Sequence, residues 1–468
     1  MAVDHAVPGL LGISFDAVPL SGVIVEFLKV ARVFRNNGYR IHLDLGYEIK
    51  SDKGPFFAPH ADGLPDWVNR VRILPEPFDG YSNALVAGSL KYMAQPFEAE
   101  PDREEAMAHY SREIAGRLVR TFVALNLRIL IVENGTLPEN VMFARALRQA
   151  IEVYGRRTGA GKFVLWRDHD LMWTSESSSG KYGQFPYPRV PKIQPSPFIT
   201  HAVLSVADRD LAMAWSPEVE LEVLPNHFWN GMAAGPERTE EASGRAFRSA
   251  HGIPGDAVLI ARYTRIIPQK RIDRDLDLLS FLHQLARDPR EGPGPYLCIA
   301  GDVGEDAGES RRLREQARSL HLEAFVVFTG ELEPLTQADA SGNGRSVYDL
   351  IAASDLCSFL TSHDYESFGN PVAEAIMMHR PYLSSSYDRY RHCYADKGYL
   401  GLVFPVAEGA DGPMDMAFAL EVHRFLKDGP ARSRMVRHND ALWVREHPAE
   451  DDLAERLGRI FSLQLSRG

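Results

Sequence analysis

Short apolar runs that end in turn residues, each followed by apolar side chains at helical spacing, recur along this chain and restrict it to an α/β fold with parallel sheets. The first unit is plain. Residues 10–16, LLGISFD, read as a buried strand, VIVEFLKVARVFRNNG as an amphipathic helix stopped at Gly38, and YRIHLDLG as a second strand. Parallel neighbours need a long crossover, and a helix of this length supplies one.

The rhythm resumes with the strands LRILIVENG and KFVLWRDHD, the helix VMFARALRQAIEVYGRR between them, and then FITHAVLSVA and VELEVLPNHFW. Residues 1–230 are therefore expected to form one Rossmann-like domain, with 50–110 as a less regular insertion. Residues 230–244 lose periodicity and read as a linker. AVLIARYTR, YLCIAGDVG, AFVVFTGEL, DLCSFLTS and PYLSSS then build a second parallel sheet over 245–430. The last helices, 431–468, are expected to pack back on the first domain. No period of 20–50 residues repeats, which argues against a solenoid.

A length of 468 residues suits two cores, and 45% apolar residues argues against long disorder. A net charge of −11 disfavours a general nucleic-acid binder, which needs a broad basic face. Cys298, Cys357 and Cys393 are odd in number, and two of them sit in apolar runs, as buried free thiols of a reducing compartment do. No basic segment precedes the first apolar stretch, and no run is long enough to span a bilayer. These features predict a soluble, cytoplasmic chain without a transmembrane segment, with a homo-oligomer left open.

Doubly wound sheets present ligands at the C-terminal ends of their strands, so the chemistry is expected in strand-to-helix loops facing a cleft between the domains. The stretch 363–381, HDYESFGNPVAEAIMMHRP, is the most specific such loop. Asn370 suits an N-cap and Pro371 the first helical position, which would put Glu374 in the first turn and leave Glu366 in the loop. Gly369 allows close backbone approach, and the free N–H groups at a helix start attract an anion. A carboxylate beside that anion can accept hydrogen bonds from a vicinal diol such as a ribose. The bland alternative is that Glu374 complements the helix dipole and Glu366 is a solvated charge. In ARYTRIIPQKRID, Arg265 and Lys270 follow another strand. Fixed cations there stabilise a leaving diphosphate more than its ground state, although a solvated basic loop including Arg262 and Arg271 is the plain alternative.

These residues resemble family 4 of the retaining nucleotide-sugar glycosyltransferases, which have the GT-B fold of two doubly wound Rossmann-like domains. The resemblance rests on RIIPQK (265–270), FTGEL (328–332), VYDLIAASDLCSFLTS (347–362) and ESFGNPVAEA (366–375), which matches the family's Glu-x7-Glu signature, all in the family's order. LEVLPNHFW (221–229) and RDHDLMW (167–173) are similar to weaker marks of its N-terminal half. The resemblance implies that Arg265 and Lys270 hold the diphosphate, Glu374 the ribose and Glu366 the transferred sugar. Gly22, Gly330, Ser367, Phe368, Gly369 and Asn370 would complete the donor site. His169 would be the active-site histidine, and Asp168, Asp170 and Trp173 would lie toward the acceptor. The family's Gly-Gly pair is replaced here by Ser21-Gly22.

The implied activity is transfer of a sugar from a GDP- or UDP-sugar to a small-molecule or saccharide acceptor, in specialised metabolism or alternatively in envelope or lipid-linked sugar synthesis. Domain closure would expel water. With no Asp-x-Asp motif and two cations at the diphosphate, no metal and no cofactor are expected. A hydrolase or phosphorylase using Glu366 and Glu374 as acid and base would leave Arg265 and Lys270 without a purpose. A catalytically silent nucleotide-binding module is disfavoured by the complete charged set, and a dehydrogenase by the lack of G-x-G-x-x-G after the first strand. The stretch 174–192, with Trp166, Trp173, Tyr182, Phe185 and Tyr187 in or near it, is either an acceptor lid or a plain connection.

Overall fold

The computed structural model describes residues 7–15, 21–45, 64–78, 80–94, 100–172, 190–228, 240–286, 294–333, 345–410, 412–447 and 453–466. The chain divides into two compact units. Unit 1 is Met1–His227 with Asp451–Gly468, and unit 2 is Phe228–Glu450.

Among the described residues, unit 1 is built on a seven-stranded sheet of β1 (Gly9–Ser14), β2 (Arg40–Leu45), β3 (Val68–Arg70), β4 (Leu127–Glu133), β5 (Val164–Asp168), β6 (Ile199–Val203) and β7 (Leu221–Val223). Their order is β3-β2-β1-β4-β5-β6-β7, and every pairing is parallel. Helices α1 (Gly22–Asn36), α2 (Asn83–Ala94), α3 (Pro101–Ala124), α4 (Val141–Thr158) and α5 (Val206–Trp215) connect them.

Alternate residues of each strand enter different cores. Leu130 and Val132 of β4 join Leu11 and Ile13 on one face, while Ile129 and Ile131 join Leu10, Ile24 and Phe27 on the other. A sheet covered on both faces requires such continuous apolar runs, which is why these strands show no polar alternation. Among its described residues, the stretch expected to be irregular holds β3, α2 and the start of the long α3. In α3, Met107, Ser111, Ile114, Leu118 and Phe122 are buried at three- and four-residue intervals between charged positions.

Unit 2 carries α6 (Glu240–Ala250), β8 (Leu259–Tyr263), α7 (Ile272–Leu285), β9 (Tyr296–Ala300), α8 (Ala307–Ser319), β10 (Val326–Gly330), α9 (Val347–Ala353), β11 (Leu356–Phe359), α10 (Asn370–Met377), β12 (Tyr382–Ser385), β13 (Leu402–Phe404), α11 (Met416–Lys427) and α12 (Gly429–Glu446). Its sheet has the parallel order β10-β9-β8-β11-β12-β13. Of the expected linker, 230–239 lie outside the described residues and 240–244 open α6. Cys298, Cys357 and Cys393 are buried thiols. No helix among the described residues is long and apolar enough to cross a membrane.

The return of the C-terminal helices is narrower than the sequence predicts. Helix α12 belongs to unit 2, where it buries Met435, Asn439 and Trp443. Only α13 (Leu453–Phe461) rejoins unit 1, burying Leu453, Leu457 and Phe461 in the α1 core, with Phe461 edge-on to Phe34 at 5.7 Å. Asn37 and Ser466 lock that return, since the Ser466 backbone N–H donates to Asn37 Oδ1 at 2.8 Å.

One glycine sets the spacing of the strand ends in unit 2. Gly301, just after β9, donates its N–H to Gly330 O at 3.0 Å, and a Cβ there would lie 2.1 Å from the carbonyl oxygen of Thr264. That oxygen belongs to backbone and cannot swing aside. Gly301→Ala is expected to destabilise unit 2 by about 2 kcal/mol or more in urea unfolding, and parent-like stability would count against this packing.

Candidate active site

Two strand-end loops of unit 2 meet because β8 and β11 are neighbours, with Leu356 opposite Ile260 and Cys357 opposite Ala261. The loop after β8 runs through Arg265 to a single tight turn, Pro268–Lys270. It is braced from beneath by Arg262, which is fully buried and donates to Ser358 O (3.2 Å), Leu360 O (3.1 Å) and Lys270 O. Arg262 is thus a structural strut, not part of a solvated basic loop. Ser362 N donates to Gln269 O at 3.0 Å and Thr361 Oγ1 to the same oxygen at 3.1 Å, so the two loops are joined through backbone.

The side chains then converge. Lys270 Nζ donates to Glu366 Oε1 in an ion pair that is about nine-tenths buried on both sides, and it also lies 5.0 Å from the centre of the Tyr365 ring. Arg265 donates from Nη1 to Tyr365 Oη at 3.0 Å and from Nε to Glu305 Oε1 at 2.8 Å. Both cations therefore sit against the 363–371 turn. Beside them, Ser362 Oγ and His363 Nδ1 are buried with no hydrogen-bond partner among the described residues. Buried polar atoms without partners are uncommon and point to groups that a polar ligand can satisfy.

The turn itself differs by one residue from the sequence expectation. Gly369, not Asn370, caps α10, in the left-handed region at φ 81°. A Cβ there would meet Tyr387 Oη at 2.4 Å, so glycine is required on both counts. Asn370 becomes the first helical residue, and Glu374 falls beyond the first turn. Tyr263 Oη donates to Pro371 O at 2.9 Å and Tyr394 Oη to Gly369 O at 2.9 Å, which fixes the helix start. The Phe368 side chain is buried, stacked 5.8 Å from Phe228 and tilted against Tyr394, and its carbonyl accepts from Tyr387 Oη. Ser367 O accepts a weak contact from Cys393 Sγ at 3.6 Å, and Gly330 ends β10 on the same edge of the sheet as Arg265.

In unit 1 the predicted histidine is part of a buried charge cluster that sequence reasoning missed. Glu133 ends β4 directly opposite Arg167 of β5, and Arg167 grips it with two hydrogen bonds, Nη2 to Oε1 at 2.7 Å and Nε to Oε2 at 3.1 Å. His169 Nε2 lies 3.0 Å from the same Glu133 Oε2. Burial alone would push the Glu133 carboxyl up, but Arg167 and His169 outweigh it and hold the carboxyl below its usual range. Asn134 orders the loop by accepting from the backbone N–H groups of His169 (2.7 Å) and Asp170 (3.2 Å), and its Nδ2 donates to Asp170 Oδ2 at 3.0 Å. The sequence signal was a charged residue closing each apolar run, LRILIVE and FVLWRD.

Asp168 is not open to solvent. It is buried and accepts from Thr136 N (3.1 Å) and Thr136 Oγ1 (2.6 Å). Ser21 caps α1 by accepting from Ile24 N at 3.3 Å, with Gly22 opening the helix after β1. Trp173, Tyr182, Phe185 and Tyr187 lie outside the described residues.

Comparison with known proteins bears directly on this geometry. Residues 244–441 match the family model described as "Glycosyl transferases group 1". Among solved structures, the chain is similar to WaaG, a glycosyltransferase involved in lipopolysaccharide biosynthesis, with a TM-score of 0.60, 14% identity, and coverage of 97% of this chain and 99% of that one. The fold is GT-B. Sucrose-phosphate synthase from Thermosynechococcus elongatus matches with a TM-score of 0.59 at 16% identity, covering 97% of this chain and 98% of that one. HepE from Anabaena, in complex with UDP and glucose, matches at 0.59 and 15% identity, covering 97% of this chain and all (100%) of that one. A sequence comparison with curated proteins gives no match. The family match in unit 2 supports glycosyltransferase activity.

Burial pushes the Asp168 carboxyl from its ordinary 3.8 up to about 6, against the lowering effects of Thr136 and Arg148. A carboxyl whose pKa is raised by folding stabilises the fold fully below 3.8, and that contribution is lost as pH rises through 6. Asp168→Asn is therefore expected to gain stability relative to the parent, by up to about 3 kcal/mol, between pH ~3.5 and ~6.5. Urea unfolding across that range is the measurement, and a pH-independent difference would refute it.

Proposed function

We propose that this GT-B chain is a retaining, metal-independent glycosyltransferase of the family 4 type, which moves a sugar from a nucleoside diphosphate sugar to a small-molecule or saccharide acceptor. The observation that carries the reading is the ion pair of Lys270 with Glu366, alongside the Arg265 contact with Tyr365. Cations and a carboxylate are brought to one turn from loops 96 residues apart in sequence. The HepE structure contains UDP and glucose, and a UDP- or GDP-linked hexose is the donor class proposed here.

In this reading Arg265 forks the diphosphate oxygens and Lys270 serves as a point charge on the same group. Glu374 accepts from the ribose hydroxyls and Glu366 from the transferred sugar. The backbone N–H groups of Ser367, Phe368, Gly369 and Asn370 and the small Gly330 and Gly22 allow close approach of the donor. The C1–O bond to phosphate breaks while an acceptor oxygen bonds to C1 on the same face, and the acceptor proton passes to the departing phosphate. In unit 1, His169 and Asp170 are assigned to the acceptor side. Glu133 orients the imidazole, and Asp168 supports the loop from within. A small soluble acceptor of specialised metabolism remains the preferred class.

The test is a melting-temperature screen with UDP, GDP and ADP, followed by transfer assays with the matching sugar nucleotides. One nucleotide at ~100 times its dissociation constant is expected to add about 2.7 kcal/mol to the folded state. Lys270→Ala is expected to abolish that gain and to lower turnover about 10²- to 10³-fold. Failure of every nucleotide to bind, together with no sugar transfer, overturns the reading. Because Arg265 and Lys270 supply the positive charge, activity is expected to survive excess EDTA unchanged, and loss restored by Mg²⁺ would refute metal independence.

A further inference from the structure

A groove of about 1050 Å³ opens in unit 2 where α9 and α10 end and α12 begins. Its residues precede β11 and β12, whereas the loops of Lys270 and Glu366 follow β8 and β11. In a parallel sheet these are opposite edges. Helix α10 spans the gap, with Asn370 at one end and the segment leading to His379 and Arg380 at the other, about 12 Å for its eight residues. The groove is thus separate from the candidate donor site.

Its charge is unlike that of the rest of the molecule. The chain carries −11 overall, yet Arg380, Arg432, Arg434 and Arg437 line this groove against a single carboxylate, Asp355. Arg380 is the built floor, donating to Ile351 O (3.1 Å) and Ala352 O (2.9 Å) and pairing with Glu240 at 3.2 Å. Asp355 is already held, because its Oδ2 accepts from Arg248 Nη2 at 3.0 Å and from Leu259 N at 2.9 Å.

Two of the other three guanidinium groups meet a carboxylate only at 4.0 Å. Arg432 comes no nearer than 4.0 Å to Asp355, and its Nε is buried with no hydrogen-bond partner among the described residues. Arg434 stands 4.0 Å from Asp428, and Arg437 makes no ion pair among the described residues. The positive end of the α12 dipole points the same way, partly offset by Asp428, which caps the helix through Ala431 N at 2.9 Å. Planar guanidinium forks that outnumber the carboxylates beside them match the oxygens of a phosphate group, and the volume suits a small molecule.

We propose that this groove binds a small phosphorylated anion, a phosphate ester or diphosphate, at a site distinct from that of the sugar nucleotide. Arg432 and Arg437 are its principal ligands, with Arg434 at the rim.

Inorganic pyrophosphate is the probe, titrated calorimetrically into the full chain at fixed ionic strength. Because pyrophosphate also fits the candidate donor site, the comparison is made in a Lys270→Ala background. Binding is expected to persist there and to weaken at least tenfold when Arg432→Gln and Arg437→Gln are added. Arg434→Gln with Arg437→Gln, both on the groove's exposed side, serves if the first pair fails to fold. Unchanged binding in either folded double variant overturns the proposal. So does binding only to phosphatidylglycerol vesicles, which would make the groove a lipid-headgroup site. Failure of every nucleotide to bind the parent would sink the proposed function while leaving this result standing.

Discussion

The contact between the Lys270 ammonium and the Glu366 carboxylate ties two strand-end loops of unit 2 into one site. Both partners are mostly removed from water, so their attraction must offset a substantial desolvation cost. Such a pair adds little net stability compared with an apolar substitute, yet losing one partner strands the other as a buried charge. Its effect is therefore on position more than on stability. It holds the two ionic groups at fixed places, backed by Arg262 beneath the loop and by the Gln269 carbonyl that receives Thr361 and Ser362.

That contact is available only because parallel strands all release their loops at one edge. The same rule operates in unit 1, where Glu133, Arg167 and His169 end β4 and β5 side by side. Here the pairing comes directly from register, since Glu133 and Arg167 are opposite residues on adjacent strands. The other edge of the unit 2 sheet collects helix ends and strand starts, and it is there that the arginines of α12 and Arg380 gather. A single sheet thus offers two chemically different rims, and α10 reaches from one to the other.

Several features escaped a linear reading for physical reasons. Helix α3 was hidden because its buried face includes Ser111 and Ala115, which carry little apolar signal, while its exposed face is dense in charge. The start of α10 moved by one residue because Tyr387 packs against Gly369, a contact from beyond the turn. Asp168 and Phe368 looked like ligands by position, but the former is engaged by Thr136 and the latter by Phe228. Helices α12 and α13 both read as helices along the chain, and only the partners they meet assign them to different units.

By itself the sequence determined the alternation of strands and helices, the doubly wound class and the two-unit division, and it singled out Arg265, Lys270, Glu366 and Glu374 as candidates. Periodicity and turn chemistry are local properties, and local properties can be read along a chain. Only tertiary structure decided that Lys270 meets Glu366, that Glu133 meets His169 and that Ser362 Oγ and His363 Nδ1 are buried without a hydrogen-bond partner among the described residues. Those meetings depend on strand order, in which β8 lies beside β11 and not beside β10, and strand order is set by which faces bury together across the whole sheet.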